Sequence, residues 1–81
     1  MSTTEIKEKV KVGVVFAGGG AVPKWFMWKK EKIDVKEVTF TWRTAEGSSV
    51  LVHYSITAKS GMYELSYNQK TMDWTLENTA E

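Results

Sequence analysis

Apolar and polar residues alternate along most of the chain, which is the pattern of β-strands that bury one face. The alternation is clearest over residues 10–16, 24–28, 50–57 and 62–67, and it closes with Trp74 and Leu76. Turn-forming residues separate these stretches, and none of them favours a helix. The pattern predicts one all-β domain over residues 1–81. We expect an antiparallel meander of about six strands, folded as a strongly bent sheet or a small barrel, with disordered tails at 1–4 and 78–81.

The segment 23–43 concentrates aromatic and basic side chains. It holds three of the four tryptophans and six of the eleven Lys and Arg residues. The charged run Lys29-Lys30-Glu31-Lys32 interrupts its apolar residues and predicts a hairpin. This run lacks the Gly or Asn that a two-residue hairpin turn prefers.

Beyond this hairpin the apolar alternation changes phase. Ile33 and Val35 occupy odd positions, whereas Val38, Phe40 and Trp42 occupy even ones. A β-bulge at Lys36-Glu37 within one long strand would correct the phase and bend the strand, so that it serves two faces of a barrel. We expect this strand at the centre of the sheet, with Phe40 fully buried.

Composition limits the size of the core and the choice of compartment. A chain of 81 residues builds one small core, and its ten aromatic side chains are expected to fill most of it. The net charge of +1 does not by itself imply a nucleic-acid or membrane partner. No run approaches the ~18 apolar residues of a membrane span, and the apolar part of the N-terminal region is too short and glycine-rich for a secretory signal. With no cysteine in the chain, we expect a cytoplasmic protein that does not bind membranes.

Side chains for catalysis or metal binding are sparse. His53 is the single histidine, and it falls on the strand face opposite the apolar one, where we expect it to face solvent. A catalytic triad needs a base beside a nucleophile, and a metal site needs several converging ligands, and neither spacing occurs. The sequence therefore predicts no enzyme activity, no cofactor and no metal. Four acidic residues are expected to face solvent: Asp34, Glu37, Glu64 and Asp73.

The glycine run Gly18-Gly19-Gly20 follows a strand, as it does in phosphate-binding loops. Such loops need a helix N-terminus directly afterwards, whereas here Pro23 and an aromatic strand follow. A flexible connection between strands is predicted instead.

Trp25, Lys29, Lys30 and Arg43 are the candidate binding residues. Exposed aromatic rings beside basic side chains hold single-stranded nucleic acid, and Trp and Arg are also frequent in protein interfaces. Two interpretations of the tryptophans stay open, a binding surface or the core of a small domain. The predicted function is a non-catalytic binding module. The alternative is a structural or self-associating protein, a homo-oligomer in which the N-terminal strand Glu5–Phe16 pairs with a neighbour's sheet edge.

A series of anchor residues runs from Pro23 to Leu76. It reads P-x-x-F-x-W from Pro23, I-x-V-x-x-V-x-x-x-W-R from Ile33, Y-E-L from Tyr63 and W-x-L from Trp74, over about 55 of the 81 residues. This order resembles a family of small bacterial domains of unknown function, some of which look to be linked to DNA-repair proteins related to Y-family polymerases. Ile33 stands where that family would have an aromatic residue, and the N-terminal strand and the glycines lie outside the resemblance. The resemblance implies an accessory, non-catalytic module with a DNA-repair protein as partner, and it supplies no binding residues.

Overall fold

A computed structural model describes residues 3–80 of the chain. The strands are β1 (Thr3–Ala17), β2 (Gly20–Trp28), β3 (Glu31–Asp34), β4 (Glu37–Glu46), β5 (Ser49–Ala58), β6 (Gly61–Asn68) and β7 (Trp74–Ala80). All seven form one antiparallel sheet in the order β3-β2-β1-β7-β6-β5-β4.

The sheet curls strongly but, over the described residues, does not close into a barrel. A flat sheet with its side chains is roughly 10 Å thick, whereas the thinnest dimension of this molecule is 23 Å. The curl lets the two halves of the sheet bury a common core. The predicted small, bent, all-β fold is confirmed, with seven strands in place of about six.

The strand that serves both halves of the sheet is β1. Its residues 3–10 pair with β7, and its residues 11–17 pair with β2 on the other side. Lys7 has a left-handed φ of 54°, and the register with β7 shifts between Glu5 and Glu8. An extra residue in one strand of a ladder kinks that strand and increases its twist. The long bent strand of the molecule is therefore β1, whereas the sequence placed such a strand over residues 33–42.

The predicted long strand over residues 33–42 is divided into β3 and β4, which form opposite edges of the sheet. In the two-residue connection between them, Val35 donates its N–H to the Lys24 carbonyl oxygen at 2.9 Å. Lys36 donates its N–H to the Thr57 carbonyl oxygen at 2.7 Å. The connection thereby fastens β2 to β5. The change of phase in the sequence is a crossing between two edges, not the predicted bulge.

Phe40 is 64% exposed, so the prediction that it is fully buried is wrong. Its strand, β4, has a neighbour on one side among the described strands, and a bulge between Val38 and Phe40 shifts its register against β5. Alternate residues of the interior strands supply the core instead. The largest fully buried side chains there are Phe26, Ile56, Leu65, Leu76 and Pro23.

The glycine run is a tight turn and not a flexible connection. Ala17 pairs with Gly20, and Gly18 and Gly19 form a two-residue turn with φ values of 60° and 81°. Hairpin turns of this kind need a positive φ at both central residues, which glycine adopts without strain.

Both ends of the described chain belong to the sheet, where disordered tails were predicted. Thr3 pairs with Ala80 at the far ends of β1 and β7. The two polar ends order each other because each supplies the hydrogen-bond partners that the other needs. The remaining residues of the predicted tails, 1–2 and 81, lie outside the described range.

Replacing the two phenylalanines by alanine tests this assignment of the core. Phe26 is fully buried and its ring meets Tyr63 edge-on, with ring centroids 5.2 Å apart. Phe26→Ala is expected to lower the free energy of unfolding by about 3–5 kcal/mol, since it removes buried apolar area and leaves a cavity. Phe40→Ala is expected to lower it by less than about 1 kcal/mol, as surface changes usually do. Urea denaturation measures both variants, and equal losses would contradict the assignment.

Candidate functional site

The hairpin that joins β2 to β3 carries two lysines in a strained turn. Trp28 pairs with Glu31, and Lys29 and Lys30 between them have φ values of 52° and 63°. The predicted hairpin is thus present. The left-handed conformation costs a non-glycine residue about 1–2 kcal/mol, and Asn-Gly is the usual sequence of such a turn. Strain that a chain retains at an exposed position is typical of functional sites.

Two tryptophans of the hairpin hold lysine ammonium groups. Lys29 Nζ lies 4.6 Å from the ring centroid of Trp28, and Lys32 Nζ lies 5.4 Å from that of Trp25. Each contact is an electrostatic attraction of about 0.5–1 kcal/mol at an exposed site. These contacts limit the range of positions that the two ammonium groups sample.

A further lysine adds to the charge at this end of the molecule. Lys59, in the turn between β5 and β6, borders the same surface depression as Glu31, Lys32 and Asp34. We call the exposed lysines 29, 30, 32 and 59 the basic tip. Asp34 lies 3.9 Å from Lys32 and offsets part of this charge.

Trp25 does not offer a free ring for base stacking. It pairs with Gly13 of β1, and a Cβ atom at position 13 would overlap its indole ring. One face of the ring therefore lies directly on the glycine backbone, which leaves the other face to the Lys32 ammonium. Trp25 is half-buried, and its contacts are those of a side chain that covers a glycine in the sheet and positions a lysine.

Arg43 does not join the other candidate residues. It lies on β4 and lines a cleft of about 250 Å³ together with Ala21, near the first residues of β2. Lys29 and Lys30 follow the last residue of β2, roughly 25 Å away along that strand. In the cleft, the Tyr54 hydroxyl donates to the Ala21 carbonyl oxygen at 2.7 Å. Burial raises the pKa of Tyr54, and the nearby Arg43 guanidinium partly opposes this shift.

His53 is buried and not solvent-facing, although it lies on the face opposite the core as predicted. It is 8% exposed, because Trp42 stacks on its ring with centroids 5.0 Å apart. Its Nδ1 donates to Glu64 Oε2 at 3.0 Å, since a carboxylate can only accept, and its Nε2 lies 2.8 Å from Thr44 Oγ1. Glu64 also accepts from Asn78 at 2.9 Å, so this acid does not simply face solvent as expected. The sequence shows these polar residues at alternate positions of three strands. Their contacts depend on which residues of neighbouring strands lie opposite each other, and that register is known only from the structure.

His53 contacts Thr44 on one side and Glu64 on the other, which is the order of contacts in a nucleophile, base and acid triad. The three side chains connect β4, β5 and β6 across the outer sheet face, so their hydrogen bonds contribute to the stability of that face. Within residues 3–80, no three His, Asp or Glu side chains converge to hold a metal ion.

Comparisons with known proteins do not extend this description. The chain matches no family model, no curated protein and no solved structure. The part of the chain that the structure describes has no helix long and apolar enough to cross a membrane.

Gly13→Ala tests the contact with Trp25. The added methyl group must displace the indole ring, so we expect the free energy of unfolding to fall by about 1–3 kcal/mol. In a Trp25→Ala background the same substitution is expected to cost less than about 0.5 kcal/mol, because the ring is gone. Denaturant unfolding of the four proteins gives the coupling between the two positions. Additive losses would show that the ring does not lie on Gly13.

Proposed function

We propose that the chain is a non-catalytic binding module that holds single-stranded nucleic acid through its phosphates at the basic tip. The observation that carries this proposal is the Lys29-Lys30 turn, where two charged residues occupy backbone conformations that favour Asn and Gly. The chain loses stability by keeping lysine at both positions. A polyanionic partner would account for that loss.

The aromatic side chains have a different role in this proposal from the one that the sequence suggested. Trp25 and Trp28 hold the ammonium groups of Lys32 and Lys29 and do not stack on bases. Binding is therefore expected to depend strongly on salt and weakly on base identity, because phosphate contacts carry no sequence information. Arg43 lies outside this surface.

The partner class and the compartment belong to the same proposal. A DNA-repair protein that works on exposed single strands would bring this module to its substrate, in keeping with the resemblance of the anchor residues. A cytoplasmic location fits both a nucleic-acid partner and the absence of cysteine from the sequence.

Lys29→Asn combined with Lys30→Gly tests whether the turn is strained. Asn and Gly adopt positive φ at low cost, so we expect the free energy of unfolding to rise by about 1 kcal/mol after the loss of the Lys29 contact with Trp28. Urea denaturation measures the change. A loss of stability would show that the lysines are not strained.

Nucleic-acid binding by the same variant tests the function. Fluorescence anisotropy with a labelled single-stranded oligonucleotide, from about 20 to about 300 mM salt, should show affinity falling with a slope near −2 to −3 on logarithmic axes, as expected for three to four phosphate contacts. The double variant Lys29→Asn, Lys30→Gly should bind at least about tenfold more weakly, since it lacks two of the four lysines of the basic tip. Because this variant is expected to be more stable than the parent, unfolding cannot explain its weaker binding.

Lys70→Gln combined with Arg43→Gln is the matched control, because it also removes two positive charges. Lys70 lies at the opposite end of the sheet, where its Nζ donates to Ser48 Oγ at 2.8 Å, and Arg43 lies outside the basic tip. This double variant should bind as the parent does. No binding by the parent protein at low salt would refute the proposal, and an equal loss in the double variant would show that binding reflects overall charge and not this site.

A further inference from the structure

Within residues 3–80, one half of β1 has an unpaired backbone edge. Residues 11–17 pair with β2 on one side. On the other side, β7 reaches only as far as Val10, and no backbone hydrogen bond joins residues 11–17 to another strand within the described chain. An edge with free N–H and C=O groups is a template for pairing with a further strand.

The hairpin geometry identifies which backbone groups are free. Ala17 and Gly20 close a two-residue turn, so they exchange both ladder hydrogen bonds. Because such pairs alternate along an antiparallel ladder, the N–H and C=O groups of Phe16 and Val14 point away from β2. Pro23, which has no N–H to donate, stands opposite Val14 at a position that needs none.

This edge lacks the charges that usually protect edge strands. Residues 12–17 contain no charged side chain, and Phe16 and Val15 are 72% and 48% exposed. The edge of β4 differs in this respect. If two copies of β4 paired antiparallel about their midpoints, Glu37 of each would oppose Glu46 of the other, and like charges in opposed positions are destabilising.

We propose that a second copy of this chain pairs with the free edge of β1, antiparallel and across a two-fold axis at Val14. In this register Val14 faces Val14 of the second copy, and Val12 faces Phe16 of the second copy. The three pairs supply about six backbone hydrogen bonds. A second copy fits because the edge is self-complementary: the pairing opposes no like charges and covers Val15 and Phe16 on both molecules. The interface is small, so the dimer is weak, with a Kd on the order of 100 µM.

This assignment revises the extent of the self-associating strand and is separate from the nucleic-acid proposal. Residues 3–10 are already paired with β7, so the assembling edge is residues 11–17 and not the whole of Glu5–Phe16. The lysines of the basic tip lie at the other end of β2 from the glycine turn. A variant that no longer dimerises should therefore bind nucleic acid as the parent does. A variant that no longer binds nucleic acid should still dimerise.

Sedimentation equilibrium from about 10 µM to about 1 mM protein tests the dimer. The parent protein should pass from monomer to dimer, and Val15→Lys should raise the Kd at least about tenfold, because it places a charge on the pairing edge of each copy. Phe16→Glu, at a more exposed position, should do the same and covers the case in which Val15→Lys folds poorly. Phe40→Lys is the control, since it changes an exposed aromatic residue on the edge strand β4 and should leave the Kd unchanged.

Two results would overturn the proposal. One is a parent protein that stays monomeric throughout this range. If that monomer also co-sediments with phosphatidylcholine vesicles, Val15 and Phe16 form a lipid-binding surface instead. The other is an equal rise in Kd for Phe40→Lys, which would place the contact at β4.

Cysteine crosslinking tests the register. The chain contains no cysteine, so Val14→Cys introduces a single thiol in each copy. Directly opposed strand residues have Cα atoms about 5.5 Å apart, within the range of a disulfide. Mild oxidation should yield a covalent dimer of Val14→Cys and little of Phe40→Cys. The opposite outcome would contradict pairing at β1.

Discussion

The fold depends on β1 reaching both halves of the sheet. Without the bend at Lys7, residues 11–17 would continue in the plane of β7, and the hairpin formed with β2 would not turn over the core. The connection between β3 and β4 also holds the two halves of the sheet together. Val35 donates one backbone hydrogen bond to β2, and Lys36 donates one to β5. Phe26 of β2 is thereby held against Tyr63 of β6. Two local constraints at distant points of the sequence thus bring together the strands that share the core.

Two hairpin turns of the molecule show the same backbone geometry built from opposite residue types. Gly18-Gly19 and Lys29-Lys30 are both two-residue turns with positive φ at each position, and they close the two ends of β2. The glycine turn follows the local rule and the lysine turn breaks it. Local rules are usually broken where another requirement takes precedence, and the nucleic-acid proposal rests on this contrast between the two turns.

The sequence predicted what depends on local pattern. Strand alternation, the all-β class and the placement of His53 opposite the core follow from period and turn residues, and the hairpin at Lys29-Lys30 follows from the charged run that interrupts the apolar residues. The prediction that Phe40 is buried failed because an apolar residue at an even position looks the same in an interior strand and in an edge strand. Strand order decides that difference, and it arises from a crossing at Val35 that no period reveals. Trp25 was divided between core and binding surface because its partner, Gly13, is twelve positions away and is identified only by register.

The pairing of Thr3 with Ala80 places the two ends of the described chain directly opposite each other, with Cα atoms about 5 Å apart. A short linker would therefore join them without disturbing either strand. A circular permutant could then open at the Lys29-Lys30 turn, where no core side chain is interrupted. By the same geometry, this domain can be inserted into a surface loop of a host protein, because both strand ends leave the sheet side by side.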